Sequence, residues 1–444
     1  MRAKPRAVAT AEQEVAVAVT DCRSLGDWVD NKHRFALVHL PSHLNNRLTT
    51  SFFLPLLCLG LLCALPGVAR AEVLPDERID VLYHSYDGGG TKIDGPAVLI
   101  RKNIGNAVSV SGQYYVDTVS GASIDVQALQ GVDAVSGASR YSEERKQTDL
   151  GLVYLHERTT MSLGYSTSQE NDYDATTYSF GISQTFFGDL TTINLGVSFG
   201  QDEVGKNTDP TYERQRESYK YRVGLTQILT KNLITSINLE TINDRCVDIA
   251  VDESCLNNPY RMVRYADPGS ARGYSWQSEL YPHTHNSDAV GIRAIYYLPY
   301  RAALRAEYRE FSDSWGIDAH NYELRYTHPY GDRWIFEAKY RAYEQTAADF
   351  YSDLFPYRNA QNFLARDKEL SALTTTTLGA GVSYFLPPGT IPWFSKSSVN
   401  LYWDRMQFDY DNFRNVLVQD LPAGEEPLYA FDADIIRFYL SFWF

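Results

Sequence analysis

The heptad Asp-x-x-Ser-Gly-Ala-Ser occurs twice within VDTVSGASIDVQALQGVDAVSGASRYSEE, residues 116–144. One copy runs from Asp117 to Ser123 through Ser120, Gly121 and Ala122. The other runs from Asp133 to Ser139 through Ser136, Gly137 and Ala138. Each copy ends on a hydroxyl preceded by two residues with almost no side chain. Such a hydroxyl is unshielded, and an activated hydroxyl can act as a nucleophile. The same residues also make an ordinary turn, because Gly admits unusual backbone angles and Ser and Asp bond to nearby backbone. The residues alone leave both readings open.

Other chemistry-bearing groups are weaker. His283 and His285 share a strand face, but no third ligand is tied to them, and metal sites use three or four. Gly88, Gly89 and Gly90 lack the strand-loop-helix setting of a phosphate loop and read as a hairpin turn. No helix-borne nucleophile motif is present, so a membrane-embedded hydrolase has no support in the residues. Net charge is −14, which opposes a general affinity for nucleic acid.

The elements that must position these residues alternate with period 2, the signature of strands. Ile193, Leu195, Val197 and Phe199 alternate with Asn194, Gly196 and Ser198. Leu304, Ala306 and Tyr308 alternate with Arg305, Glu307 and Arg309. Tyr322, Leu324 and Tyr326 alternate with Glu323, Arg325 and Thr327. Trp334, Phe336, Ala338 and Tyr340 alternate with Ile335, Glu337, Lys339 and Arg341. One face is apolar and aromatic, and the other is polar. A soluble sandwich with one wet face per sheet would show this, and so would a transmembrane barrel with a polar lumen.

Two features favour the barrel. The chain ends DADIIRFYLSFWF, with Ile436, Phe438, Leu440, Phe442 and Phe444 on one face. This resembles the terminal strand by which bacterial outer-membrane barrels are recognised by the barrel assembly machinery. Short connections also alternate with long ones. The short ones centre on 104–106, 156–158, 187–189, 230–232, 298–300, 329–332 and 387–389. The long ones lie at 88–94, 117–145, 169–174, 201–214, 244–286, 312–318, 346–371 and 410–428. The count predicts an all-β, transmembrane antiparallel barrel of about sixteen strands, with about fourteen as the alternative; if the short turns are periplasmic, 117–145 lies at the outer mouth or folds inward as a plug, and one miscounted strand would move it to the other end. SARGYSWQSELY inside 244–286 is a candidate further strand. Arg305, Glu307, Arg309, Glu323, Arg325, Glu337, Lys339 and Arg341 then face the lumen. Interleaved signs suit a salt-bridged interior better than a selectivity lining for an anionic or zwitterionic solute.

Residues 52–66, FFLPLLCLGLLCALP, are an apolar core preceded by Arg47 and followed by Ala69-Arg70-Ala71, a small-x-small cleavage site. We expect residues 47–71 to be a signal peptide, 1–46 an extension or over-extended gene start, and 72–444 the barrel. Cys22, Cys58 and Cys63 fall in the removed part. Cys246 and Cys255 remain, and a cysteine pair in an exported protein predicts a disulfide.

Asp-x-x-Ser/Thr-Gly-Ala-Ser/Thr resembles the acceptor motif of exported flavoproteins with covalent FMN. The resemblance implies that a periplasmic flavin transferase moves FMN from FAD onto the last hydroxyl, giving a phosphoester on Ser139 or Ser123. Asp133 and Asp117 would help position the segments, and Tyr114, Tyr115 and Tyr141 are near enough in sequence to pack on the ring. Thr118 and Ala134 stand where that motif often has Gly. YHSYDGGG at 83–90, VDAVSGAS at 132–139, NPYR at 258–261, YREFSDSWGI at 308–317 and RAYEQTAADFY at 341–351 resemble an outer-membrane barrel family of unknown function, DUF3570. That resemblance implies outer-membrane lipid as surroundings and the company of a flavin transferase, a small lipoprotein and a thioredoxin-like protein. The expected function is an outer-membrane barrel carrying FMN for extracytosolic electron transfer, with no catalysis of its own. The alternative is a passive channel or structural barrel without cofactor.

Overall fold

The structure, a computed structural model, describes residues 74–121, 124, 141–207, 209–247, 254–418 and 420–444. The expected extension 1–46, the signal peptide 47–71 and its cleavage site lie outside the described residues. The first strands are β1 (Arg78–Gly88), β2 (Thr91–Ile104), β3 (Val108–Gly121), β4 (Tyr141–His156), β5 (Thr159–Gln169) and β6 (Tyr173–Phe186). β7 (Thr191–Gly205), β8 (Glu213–Thr230), β9 (Leu233–Cys246), β10 (Met262–Ala266), β11 (Tyr274–Ser278) and β12 (Thr284–Tyr297) follow. β13 (Ala303–Asp313), β14 (Asp318–Tyr330), β15 (Trp334–Gln345), β16 (Leu373–Phe385), β17 (Lys396–Arg414) and β18 (Leu428–Trp443) complete the chain.

Sixteen of these close into one antiparallel barrel, and β10 and β11 form a separate hairpin. β1 pairs with β18 from Arg78↔Trp443 to Gly88↔Ala433, which shuts the ring. The Phe444 amide donates to the Glu77 carbonyl at the foot of that seam. The expected sixteen strands are therefore present, and the seven short connections fall where the sequence puts them. Gly89 and Gly90, at φ 58° and 83°, turn β1 into β2; positive φ at both centres is what the tightest hairpin turn requires.

The alternation sorts every strand into an inner and an outer face. Outward are Val81, Val98, Leu150, Leu163, Leu195, Leu239, Ile292, Leu324, Leu401 and Ile436, all exposed. Outward aromatics gather near both rims. Tyr165 packs on Tyr178, Phe199 on Tyr219 and Tyr308 on Tyr322. Trp334 packs on Tyr384, and Phe394 on Phe442, near the short-turn end. Apolar side chains this numerous are stable on an exterior only against hydrocarbon. A closed ring leaves no strand edge unpaired there. An even strand number, short turns at one end, long connections at the other and aromatic girdles are the build of a bacterial outer-membrane barrel.

Parts of three long connections, 254–283, 346–372 and the described residues of 415–427, pack together as a cap over the long-loop end. β10 and β11 form the hairpin that SARGYSWQSELY suggested in part. Backbone bridges join Tyr265 to Phe355 and Leu280 to Leu364. Tyr281, Trp315 and Phe350 make one apolar cluster, and Val263, Phe355 and Leu364 another. Cys246 and Cys255 form the expected disulfide at the cap's base. The Arg264 guanidinium, wholly buried, binds Asp353 and Glu426, and Arg366 shares Asp353. A charge so buried persists only when paired.

Leu195→Arg should lose about 2–4 kcal/mol of barrel stability in lipid, whereas Ser198→Arg, facing the lumen, should lose little; urea unfolding in vesicles measures both. Burial alone would raise the Glu426 carboxyl, but hydrogen bonds from Arg264 and the Gly424 amide and the Arg264 charge hold it below its usual 4.5. A carboxylate lowered in the folded state stabilises above its unfolded value and loses that contribution as pH falls through the folded one. Hydrogen exchange in 254–283 should stay slow from pH 8 to 5 and accelerate below about pH 4. Arg264→Met should open the cap at neutral pH, because an uncompensated buried carboxylate costs about 3–5 kcal/mol.

Candidate functional site

The chemically richest part of the inner wall lies on β1, β2 and β3. His84 on β1 and Asp117 on β3 flank β2, yet His84 Nε2 lies 2.8 Å from Asp117 Oδ1. The residue of β2 beside His84 is Gly95. It has no side chain, and a Cβ there would come within 1.7 Å of the Val116 carbonyl and 3.1 Å of Asp117 Oδ1. Gly95 is thus the window through which the two side chains meet. Tyr115 completes the group: its hydroxyl is 3.1 Å from His84 Nε2, and its ring stacks on the imidazole at 5.2 Å. All three are buried, and His84 Nδ1 has no hydrogen-bond partner among the described residues. A His-Asp-Tyr group of this kind can hold and hand on a proton.

Beside this group a cavity of about 360 Å³ opens on the inner face of β2 to β6, lined in part by Arg101, Gln113, Tyr115, Asp117, Arg145 and Asp149. Arg145 donates to Ser168 and Gln147, and Gln147 donates to Asp149, so the lining side chains hold one another in place. The volume falls within the range of small-molecule sites.

On the other side of His84 the wall is filled by paired charges. Register sets Arg437 of β18 opposite His84. Arg437 binds Asp404 of β17, and Lys339 of β15 reaches the same carboxylate at 2.9 Å. Gly379 on the intervening β16 makes room, since a Cβ there would lie 2.1 Å from Asp404 Oδ1 and 3.0 Å from Lys339 Cε. Farther round, Arg325 binds Glu337 at 3.3 Å and Glu323 at 3.0 Å. Arg305 binds Glu307 at 2.7 Å, and Arg293 shares Glu307. The interleaved charges expected in the lumen face inward, and all but Arg341, which donates to Asn321, are in ion pairs.

Of the first heptad, Asp117 to Gly121 are the end of β3, and the second strand of the hairpin begins at Tyr141. The connection is therefore 122–140, shorter than the 117–145 expected. Inward Tyr115, Asp117 and Val119 alternate with outward Tyr114, Thr118 and Ser120, so the period-2 pattern runs into the motif and extends the strand. Asp117 points into the barrel at His84, while Ser120 lies on the opposite face, in register with Ser142. Ala122, Ser123, Asp133, Ser136, Gly137, Ala138 and Ser139 lie outside the described residues. Ile124, next to Ser123, is buried among Tyr86, Ile93, Val119 and Phe413. Of the neighbouring tyrosines, Tyr115 faces the cavity and Tyr114 faces outward. His285 lies 2.8 Å from Asp313 and 3.9 Å from Asp244 and packs on Trp315, so its surroundings are two carboxylates and an indole. Sequence reasoning missed His84; its parity with Tyr86 in YHSYDG was the signal that it faces inward.

No curated protein matches the chain. Among solved structures it is similar to the siderophore receptor PirA from Pseudomonas aeruginosa, at 10% identity over 77% of this chain, with TM-score 0.39. PirA from Acinetobacter baumannii is similar at 10% identity over 81% of the chain, with TM-score 0.41. The chain spans 60% and 57% of the length of these two. A bacterial polysaccharide outer membrane secretin is similar at 6% identity over 84% of this chain and 100% of its own, with TM-score 0.44. Residues 63–213 and 206–391 match the family described as Protein of unknown function (DUF3570), and with most of its length so matched the chain belongs to that family.

Proposed function

We propose that this outer-membrane barrel carries FMN as a phosphoester on Ser139 and Ser123 and serves as a redox carrier outside the cytoplasm, catalysing nothing by itself. The observation that carries the reading is Ile124. It follows the first acceptor serine directly and is buried with inward-facing side chains at the lumen mouth. Ile124 itself thus lies inside the barrel mouth, packed against side chains of β1 to β3 and β16 to β18, which supports a first acceptor near the lumen.

That cavity suits the group. Arg101 and Arg145 offer guanidinium forks of the kind that bind phosphate oxygens, and Tyr115, backed by the stacked His84, lines the cavity. FMN, when attached, supplies electron transfer. The chain's own residues give a hydroxyl for attachment, a seat that opens to the lumen and a buried His84–Asp117 pair beside it that can hold a proton. The expected partners are a periplasmic flavin transferase, a small lipoprotein and a thioredoxin-like protein, with outer-membrane lipid around the barrel. A passive or structural barrel without cofactor is the competing reading. Its support is the part of the lumen along β7 to β9 where inward Asn194 and Asn238 remain exposed.

Expression with and without a flavin transferase decides between them. The first reading expects in-gel flavin fluorescence and an FMN mass increment on the peptide containing 123 or 139. Ser139→Ala and Ser123→Ala should each remove the increment from its own peptide, and the double variant should lack flavin altogether. An unmodified protein in the presence of active transferase removes the cofactor reading.

A further inference from the structure

The lumen charges are balanced on one side of the barrel and unbalanced on the other. Around β14 to β18 the inward Arg325, Lys339 and Arg437 are buried and matched by carboxylates. The wall formed by β8, β9, β12 and β13 differs. Register places Lys220 and Arg222 of β8, Glu240 of β9 and Arg309 of β13 on its inner face, while Arg293 of β12 is taken up by Glu307 and Asp244 of β9 by Arg216. Arg222 Nε donates to Glu240 Oε2 at 2.6 Å, and Arg309 Nη2 donates to Oε1 of the same carboxylate at 3.0 Å. Arg309 reaches across β12 because the residues between are Ala289 and Gly291. One carboxylate thus holds two guanidiniums. Lys220 adds a third positive charge on that face, with no ion pair among the described residues.

Exposure settles which sign the lumen water meets. The Arg222 and Arg309 side chains are 60% and 44% exposed, against 20% for Glu240 beneath them. The acid is the covered partner and the basic heads are the surface. A surplus of one sign inside a low-dielectric wall concentrates the opposite ion. A guanidinium that spends one edge on a carboxylate keeps other N–H donors for a second oxyanion. The chain as a whole carries −14, so a locally basic stretch runs against its average.

We propose that this wall binds small anions, inorganic anions up to the size of phosphate, and makes the lumen anion-selective. Reversal potentials across planar bilayers in a KCl gradient, repeated with potassium phosphate, test it on the full barrel made without flavin transferase. The result then stands whatever is found at Ser123 and Ser139. Expected is a chloride-to-potassium permeability ratio of about three or more. The double variant Arg222→Gln with Arg309→Gln should bring it to about one, and Glu240→Gln should raise it. Heat-modifiable mobility checks that each variant is folded; should the double variant fail, Glu240→Gln still gives the opposite and equally diagnostic shift. Cation preference overturns the proposal, as does a ratio indifferent to these changes. So does absence of conductance in both the wild type and the cap-loosened Arg264→Met barrel.

Discussion

Inside hydrocarbon a backbone N–H or C=O without a partner has no water to fall back on, and each such group costs several kcal/mol, on the order of the desolvation of an amide. Everything else in this molecule follows from that penalty. It forces the sheet to close on itself, which it does at the β1–β18 seam. Closure fixes the register all the way round, because a slip of one residue would exchange every lipid-facing side chain for a lumen-facing one. The apolar exterior and the polar interior are therefore one constraint seen from two sides.

The interior then has to solve a problem that closure creates. Long charged side chains on neighbouring strands stand about 4.8 Å apart, and pairing across an intervening strand needs that strand to present almost nothing. Gly95 and Gly379 do this for His84 with Asp117 and for Lys339 with Asp404. Ala289 and Gly291 do it for Arg309 with Glu240. The smallest residues of the inner wall thus decide which charges meet. Where acids and bases alternate, as from Arg305 to Arg437, the wall is dry and matched. Where bases exceed acids, as around Glu240, the heads stay in water.

Local features of the sequence were legible and distant ones were not. Period-2 alternation and turn residues gave the strands, their number and the short connections, because each depends on a few adjacent residues. The Cys246–Cys255 disulfide was legible for the same reason. The cap was not, since Arg264 meets Asp353 and Glu426 only through the fold. Nor was the His84–Asp117 contact, which depends on two register relations and a glycine between them. At the doubled heptad the turn-forming composition suggested a loop from residue 117. Inward Asp117 and Val119 instead continue the ladder to Gly121. A buried carboxylate with a histidine partner is better held in a strand than released.

The cap has a consequence for the order of assembly. Arg264 and Glu426 are separated by 162 residues, so their encounter closes more than a third of the chain into a loop, and such closure is entropically slow unless something else shortens it. The barrel wall is what shortens it: once β9 through β17 are zipped, the two loops arrive at the same rim. The lid of this barrel is therefore the last part to settle, and until it does the nascent ring is open at its outer end.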